Sequence, residues 1–153
     1  MSPADDRADD REFPDRPWVG VGIVVWQGER VLLVRRGKAP RLGQWGIPGG
    51  AQHIGETLFE AAAREVMEET GLTVSPRAVI TALDAISRDP DGRARYHYTL
   101  VEVLAECDAR EPVAGDDAMD ARWATLEEAR ALIEWDETLR VIGLGQALRE
   151  GCP

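Results

Sequence analysis

Cysteine is nearly absent: Cys107 and Cys152 are the only two in 153 residues, and they lack metal-type spacing. That excludes a disulfide framework and gives a zinc site no support, so a reducing cytoplasm is the expected location. Long apolar runs are missing as well. Val19 to Trp26, the longest, is interrupted by glycines, whereas a membrane helix needs roughly 20 residues. Where a secretory leader would carry positive charge and an apolar stretch, the chain has Asp5, Asp6, Asp9 and Asp10. Positive charge is in deficit throughout, with 18 Lys and Arg against 28 Asp and Glu, a net charge of −10. Gripping a nucleic-acid backbone needs the opposite balance. Neither a nucleic-acid polymer nor a membrane is therefore expected as a partner. Small phosphorylated molecules stay open, because a divalent cation reverses the sign of a local field.

What is present suits one folded unit: 44% hydrophobic and 30% charged residues, in a chain long enough to bury a core without staples. Residues 1–16 are polar and read as a flexible acidic tail, followed by a single domain over 17–150. Val19, Val21, Ile23 and Val25 open an alternating strand, then Gln27-Gly28-Glu29 turns into Val31–Val34, which together read as a hairpin. Residues 35–50 read as loop. A helix follows between Thr57 and Gly71, with Thr57 and Glu60 forming a capping box and Gly71 in the place of a left-handed C-cap. Strands are expected near 78–87 and 96–107, joined by Asp89-Pro90-Asp91-Gly92. A short strand near 121–123, a second capping box at Thr125 and Glu128, and a helix over 136–148 complete the pattern. Strands with a few flanking helices make an α+β fold with a mixed sheet.

The chemistry concentrates in Gly50–Leu72. At about 100° per residue, Glu65 and Glu69 lie only about 40° apart on the helix, at the margin of its apolar side. Glu60–Arg64 and Arg64–Glu68 are ordinary helix-surface ion pairs, and on their own they describe a solvated acidic face. Glu65 and Glu69 do not fit that description, since like charges at this spacing repel. Burial would raise their pKa values unless a cation offsets the repulsion. Clustered carboxylate oxygens are the ligands that hard Mg²⁺ or Mn²⁺ prefer.

The same segment resembles the Nudix hydrolase signature. Gly50, Glu56, Arg64, Glu65, Val66, Glu68, Glu69, Gly71 and Leu72 occupy its defining positions with every spacing intact. The resemblance implies a Nudix-type α/β/α sandwich. It also implies a divalent-metal-dependent hydrolase of nucleoside diphosphates linked to another moiety, in which a metal-activated water attacks phosphorus. By position, Glu65 and Glu69 match the principal metal ligands. Glu56 and Glu68 match direct or water-mediated ones, the carbonyl of Gly49 a backbone ligand, and Arg64 the arginine that orients the glutamates. Asp117, before Trp123, matches an additional acid found in some members, or is simply part of an acidic turn. The general base is open among Glu65, Glu68 and Asp117.

Arg35 and Arg36, in the most basic stretch of the chain, are candidates to touch the distal phosphate, or belong to an exposed basic loop. Trp26, Trp45 and Tyr98 either stack on a base or fill the core. Among family substrates the segment before the signature resembles ADP-ribose-cleaving proteins most, implying AMP and ribose 5-phosphate as products. A pyrophosphatase of normal or oxidised nucleoside triphosphates is the alternative, and a non-catalytic nucleotide-sensing module a third reading. The resemblance also carries the expectation of a homodimer.

Overall fold

In the computed structural model, residues 11–39 and 41–151 are described. The first strand, β1 (Trp18–Gln27), is more deeply placed than a hairpin strand needs to be. Val21, Ile23 and Val25 face one side, Val24 and Trp26 the other, and all five are buried. A strand buried on both faces belongs in the middle of a sheet. Accordingly β1 runs parallel to β6 (Ala94–Glu106), with Trp18 opposite Tyr98 and Trp26 opposite Glu106. The expected hairpin with β2 (Arg30–Arg36) exists only beside the turn, where Trp26 faces Val31 and Gln27 faces Arg30.

Beyond that turn β1 and β2 diverge. β2 pairs on one edge with β7 (Ala118–Ala124) and on the other with β3 (Trp45–Gly46). The outer half of β1 pairs with β4 (Gly49–Ala51), Gly22 opposite Gly49 and Gly20 opposite Ala51. The stretch read as loop thus holds two very short strands, wedged between β1 and β2. On the far side β5 (Ser75–Arg88) forms the expected antiparallel hairpin with β6. The Asp89 carboxylate holds its turn by accepting the N–H groups of Asp91 and Arg93.

Helices cover both faces of this mixed sheet. α1 (Leu58–Thr70) buries Ala61, Ala62 and Val66 against Val21, Ile23, Val103 and Trp123. α2 (Leu126–Leu132) and α3 (Asp136–Gly151) bury Ala129, Val141 and Ile142 against Val24, Trp26, Leu33 and Leu104. The result is the α/β/α sandwich. Residues 1–10 of the expected tail, and Cys152, lie outside the described residues. Residues 11–16 lie against β6: the Phe13 N–H donates to the Arg95 carbonyl at 2.7 Å, and the Tyr96 hydroxyl donates to Glu12 at 3.1 Å. No helix among the described residues is long and apolar enough to cross a membrane.

Candidate active site

The site begins with how firmly α1 is held. The Thr57 hydroxyl accepts from the Glu60 N–H at 3.1 Å, and the Glu60 carboxylate accepts from the Thr57 N–H at 3.0 Å. At the other end Gly71 takes φ 73°, and its N–H closes on the Met67 carbonyl. With both ends fixed, the rotational phase of the helix is set, and Glu65 and Glu69 turn toward the sheet, 7% and 8% exposed.

Burial acts on both carboxyls. Desolvation raises the pKa of Glu65, opposed by the Arg64 guanidinium. Glu69 is pushed up to about 8, first by desolvation and then by the charge of Glu65, against which Arg36 and the Gly49 N–H act. That N–H donates to Glu69 Oε2 at 3.3 Å. Gly50 lies over the other acid: a Cβ there would come within 2.6 Å of the Glu65 carboxyl carbon. β4 must therefore carry glycine to lie this close to the helix.

Arg64 ties the remaining acids together. Its Nε and Nη2 donate to the two oxygens of Glu56 at 2.6 and 3.0 Å. Nη1 reaches Glu65 at 2.8 Å and Glu68 at 3.2 Å, and Nη2 also donates to the Ala51 carbonyl at 3.0 Å. The hydrogen bond from Arg64 is the main reason Glu56 lies below the usual carboxylate range, with the His53 N–H adding to it. Among the described residues, no three acidic, His or Cys side chains already converge as an ion cage. Arg64 draws Glu56, Glu65 and Glu68 to itself instead. The donor set nonetheless suits a hard divalent cation: it is all oxygen, and two of its carboxylates are buried and repel each other.

One cavity of about 510 Å³ has Gly49, Gly50, Arg64, Glu65, Glu68 and Glu69 on one wall, while Glu56, held by Arg64, is not part of its lining. Arg36, Lys38, Asp116 and Asp117 also line it. Of the two arginines singled out in the sequence, Arg36 is the one whose charge acts on Glu69. Arg35 also lines the cavity and donates from Nε to the Gly43 carbonyl at 2.8 Å. Asp117 pairs with Lys38 at 2.7 Å. Its neighbour Asp116, at φ 52°, is the acid whose charge acts on both Glu65 and Glu69. Sequence spacing selected Asp117 over Asp116. The loop closes on the C-terminal end of α1, where the Gly115 N–H donates to the Glu69 carbonyl at 3.0 Å.

Away from the acidic wall the cavity turns apolar, with Trp45, Ile47, Leu83, Tyr98, Leu100 and Trp135 lining it. Trp45 and Tyr98 thus remain available for stacking, whereas Trp26 is 1% exposed and belongs to the core. Two cavity residues went unremarked in the sequence. Trp135 stacks under the Arg41 guanidinium, 3.6 Å from ring centroid to Cζ. Glu102, only 4% exposed, lies among the apolar residues of β6. A charge inside Val101-Glu102-Val103-Leu104 was the available signal.

Residues 16–142 match the NUDIX domain. The chain is 33% identical over 110 residues to the ADP-ribose pyrophosphatase of Methanocaldococcus jannaschii, a match covering 72% of this chain and 63% of that protein. It is 33% identical over 116 residues to the phosphatase NudJ of Escherichia coli, covering 74% of this chain and 71% of NudJ. The crystal structure of a MutT Nudix hydrolase from Burkholderia pseudomallei superposes with a TM-score of 0.72 at 26% identity, covering 85% of this chain and 98% of that one. The chain belongs to the Nudix family. The chain spans just under two thirds of the length of the M. jannaschii protein.

Proposed function

We propose that this chain is a hydrolase that cleaves ADP-ribose to AMP and ribose 5-phosphate with Mg²⁺ or Mn²⁺. The observation that carries the reading is the buried Glu65–Glu69 pair facing Gly49 and Gly50, at one end of a cavity whose other end is apolar and aromatic. That shape suits a diphosphate at the acidic wall with a nucleoside extending inward. The similarity to the M. jannaschii ADP-ribose pyrophosphatase supports this substrate.

Glu65, Glu69 and the Gly49 carbonyl would hold the metal, with Glu56 and Glu68 as further oxygen donors. The bound cation would supply charge neutralisation for the diphosphate and acidify a coordinated water. The chain's own residues do the rest. Arg64 fixes the directions of Glu56, Glu65 and Glu68 through its hydrogen bonds. Arg36, whose charge acts on Glu69, contributes positive charge for the distal phosphate, and Arg35 lines the same cavity. A carboxylate takes the proton of the attacking water, and Glu65, Glu68 and Asp117 are joined by Asp116 as candidates. Water adds to one phosphorus, and the bridging oxygen leaves with the other phosphate.

A second reading, carried by the resemblance of the signature, is a pyrophosphatase of normal or oxidised nucleoside triphosphates. A phosphate-release screen over ADP-ribose, nucleotide sugars, dinucleoside polyphosphates and both kinds of triphosphate, with Mg²⁺ and Mn²⁺, separates the two. ADP-ribose should give the highest kcat/KM, and E69Q should lose at least about a hundredfold in kcat while still folding. A triphosphate turned over best would replace the ADP-ribose assignment. Inertness toward all of them would leave a nucleotide-sensing module.

A further inference from the structure

Glu102 is used by nothing described so far. It is 4% exposed, and its Oε2 has no hydrogen-bond partner among the described residues. Nor does it sit in the core by accident of packing. It borders the cavity, and Gly22 opposite it on β1 makes the room: the carboxyl lies over the glycine so closely that a Cβ there would come within 2.9 Å of the Glu102 carboxyl carbon. The apolar lining of the cavity includes Gly20, Leu83, Leu100, Trp45 and Ile47, and burial alone, with no neighbouring charge, acts on the Glu102 carboxyl. A buried polar group without a partner is costly, and a partner arriving with the substrate removes that cost.

We infer that Glu102 is a specificity-determining residue, whose carboxyl reads the edge of the substrate's nucleobase by pairing with an amino donor and the ring-nitrogen acceptor beside it, as on adenine. This rests on the proposed ADP-ribose reading and adds to it the group that recognises the base.

Three observations select a base rather than a sugar or phosphate. The cavity lining includes Trp45 and Tyr98 beside Ile47, Leu83 and Leu100, side chains suited to a ring. Glu102 alternates with Val103, which packs on the α1 side, and shares a face with Leu104, so it projects on the side of the sheet opposite α1 and its acids. Desolvation alone also pushes its carboxyl up to about 7, so near neutral pH a protonated form is available. A protonated carboxyl offers one donor and one acceptor side by side, which matches an amino group next to a ring nitrogen. An ionised one accepts only, and would instead suit an edge with two donors.

The test is a cycle of two substrates and four proteins. ADP-ribose is compared with its analogue bearing unsubstituted purine, which lacks the amino group, on the full chain and on E102Q, E102L and E102M. Glutamine keeps one donor and one acceptor, so E102Q should stay within about threefold of the parent KM for ADP-ribose. E102L and E102M should raise that KM about ten- to a hundredfold with kcat within twofold, and should raise it by clearly less for the analogue, which keeps the ring nitrogen but not the amino group. Both should melt at or above the parent temperature, because an unpartnered buried carboxyl has gone. An equal KM increase for the two substrates would mean that Glu102 meets the sugar, and overturns the inference. So would an E102Q as impaired as E102L, since that would indicate an ionised acceptor. If the parent chain fails to cleave ADP-ribose at all, it is the substrate reading that fails. The same four proteins are then run on the best nucleotide of the screen and its base-modified analogue, where an unchanged base preference in E102L overturns the inference.

Discussion

Arg64 and Glu56 meet in a two-pronged ion pair, Nε to Oε2 at 2.6 Å and Nη2 to Oε1 at 3.0 Å. The partner comes from the loop before the helix rather than from the helix itself. The guanidinium therefore couples loop to helix, and through the Ala51 carbonyl it reaches β4 as well. Lysine has neither the fork nor enough donors to repeat this. In R64K we expect kcat to fall about ten- to a hundredfold, with a loss of about 2 kcal/mol in a urea melt from the partly buried pairs that break. Parent-like turnover in R64K would remove Arg64 from its orienting role.

G50A tests the closeness of β4 to the helix. The new Cβ would press on the Glu65 carboxyl, and the softest response is for that side chain to move. Turnover should drop by at least about tenfold, while stability changes by roughly 1 kcal/mol. An activity loss no larger than that of a distant surface change would show that the position of Glu65 is not critical.

The pH dependence of metal-free stability has a definite sign. Unfolded, a glutamate titrates near 4.3; folded, Glu69 titrates near 8 and Glu102 near 7. Between those limits the folded state holds more protons than the unfolded one, so stability falls as pH rises. Glu56 is lowered by Arg64, so its stabilisation is lost only as pH falls through its folded value, below this window. With chelator present, the melting temperature should decline from pH 5 to pH 8. E69Q should flatten the slope, and millimolar Mg²⁺ should raise the melting temperature most at the alkaline end. A melting temperature that climbs steadily from pH 5 to pH 8 in chelator contradicts the assignment.

Asp116 and Asp117 can be separated by substitution. Asp117 is engaged with Lys38 at the surface, and exposed pairs contribute little. D117N should remain within about threefold in kcat, and D116N should fall by about tenfold or more because its charge acts on the buried glutamates. The reverse order would return the role to Asp117.

The sequence made the helix and its acids legible because the signals are local. Thr57, Glu60 and Gly71 define the ends, and four-residue spacing gives the shared face of Glu65 and Glu69. Pairings over long separations were not legible in the same way. Alternation in β1 is compatible with a hairpin, and nothing within 19–34 announces that its principal neighbour is β6. The short strands β3 and β4 are too brief to show any period; they exist because β1 and β2 diverge and leave edges to be paired. Asp117 and Asp116 are neighbours in a turn, and spacing does not encode the positive φ at Asp116. Glu102 was overlooked because, without its partners across the sheet, one acid in a strand looks like any outward-facing residue.

Parallel alignment of Trp18 with Tyr98 unites stretches of chain 80 positions apart, a slow event in folding because a large loop must close first. The capped helix, in contrast, needs only its immediate neighbours. During refolding the acidic helix should gain amide protection early, and the floor that holds Gly22 beneath Glu102 late. A kinetic intermediate of this chain would then carry its anionic cluster before it had anywhere to seat a nucleoside.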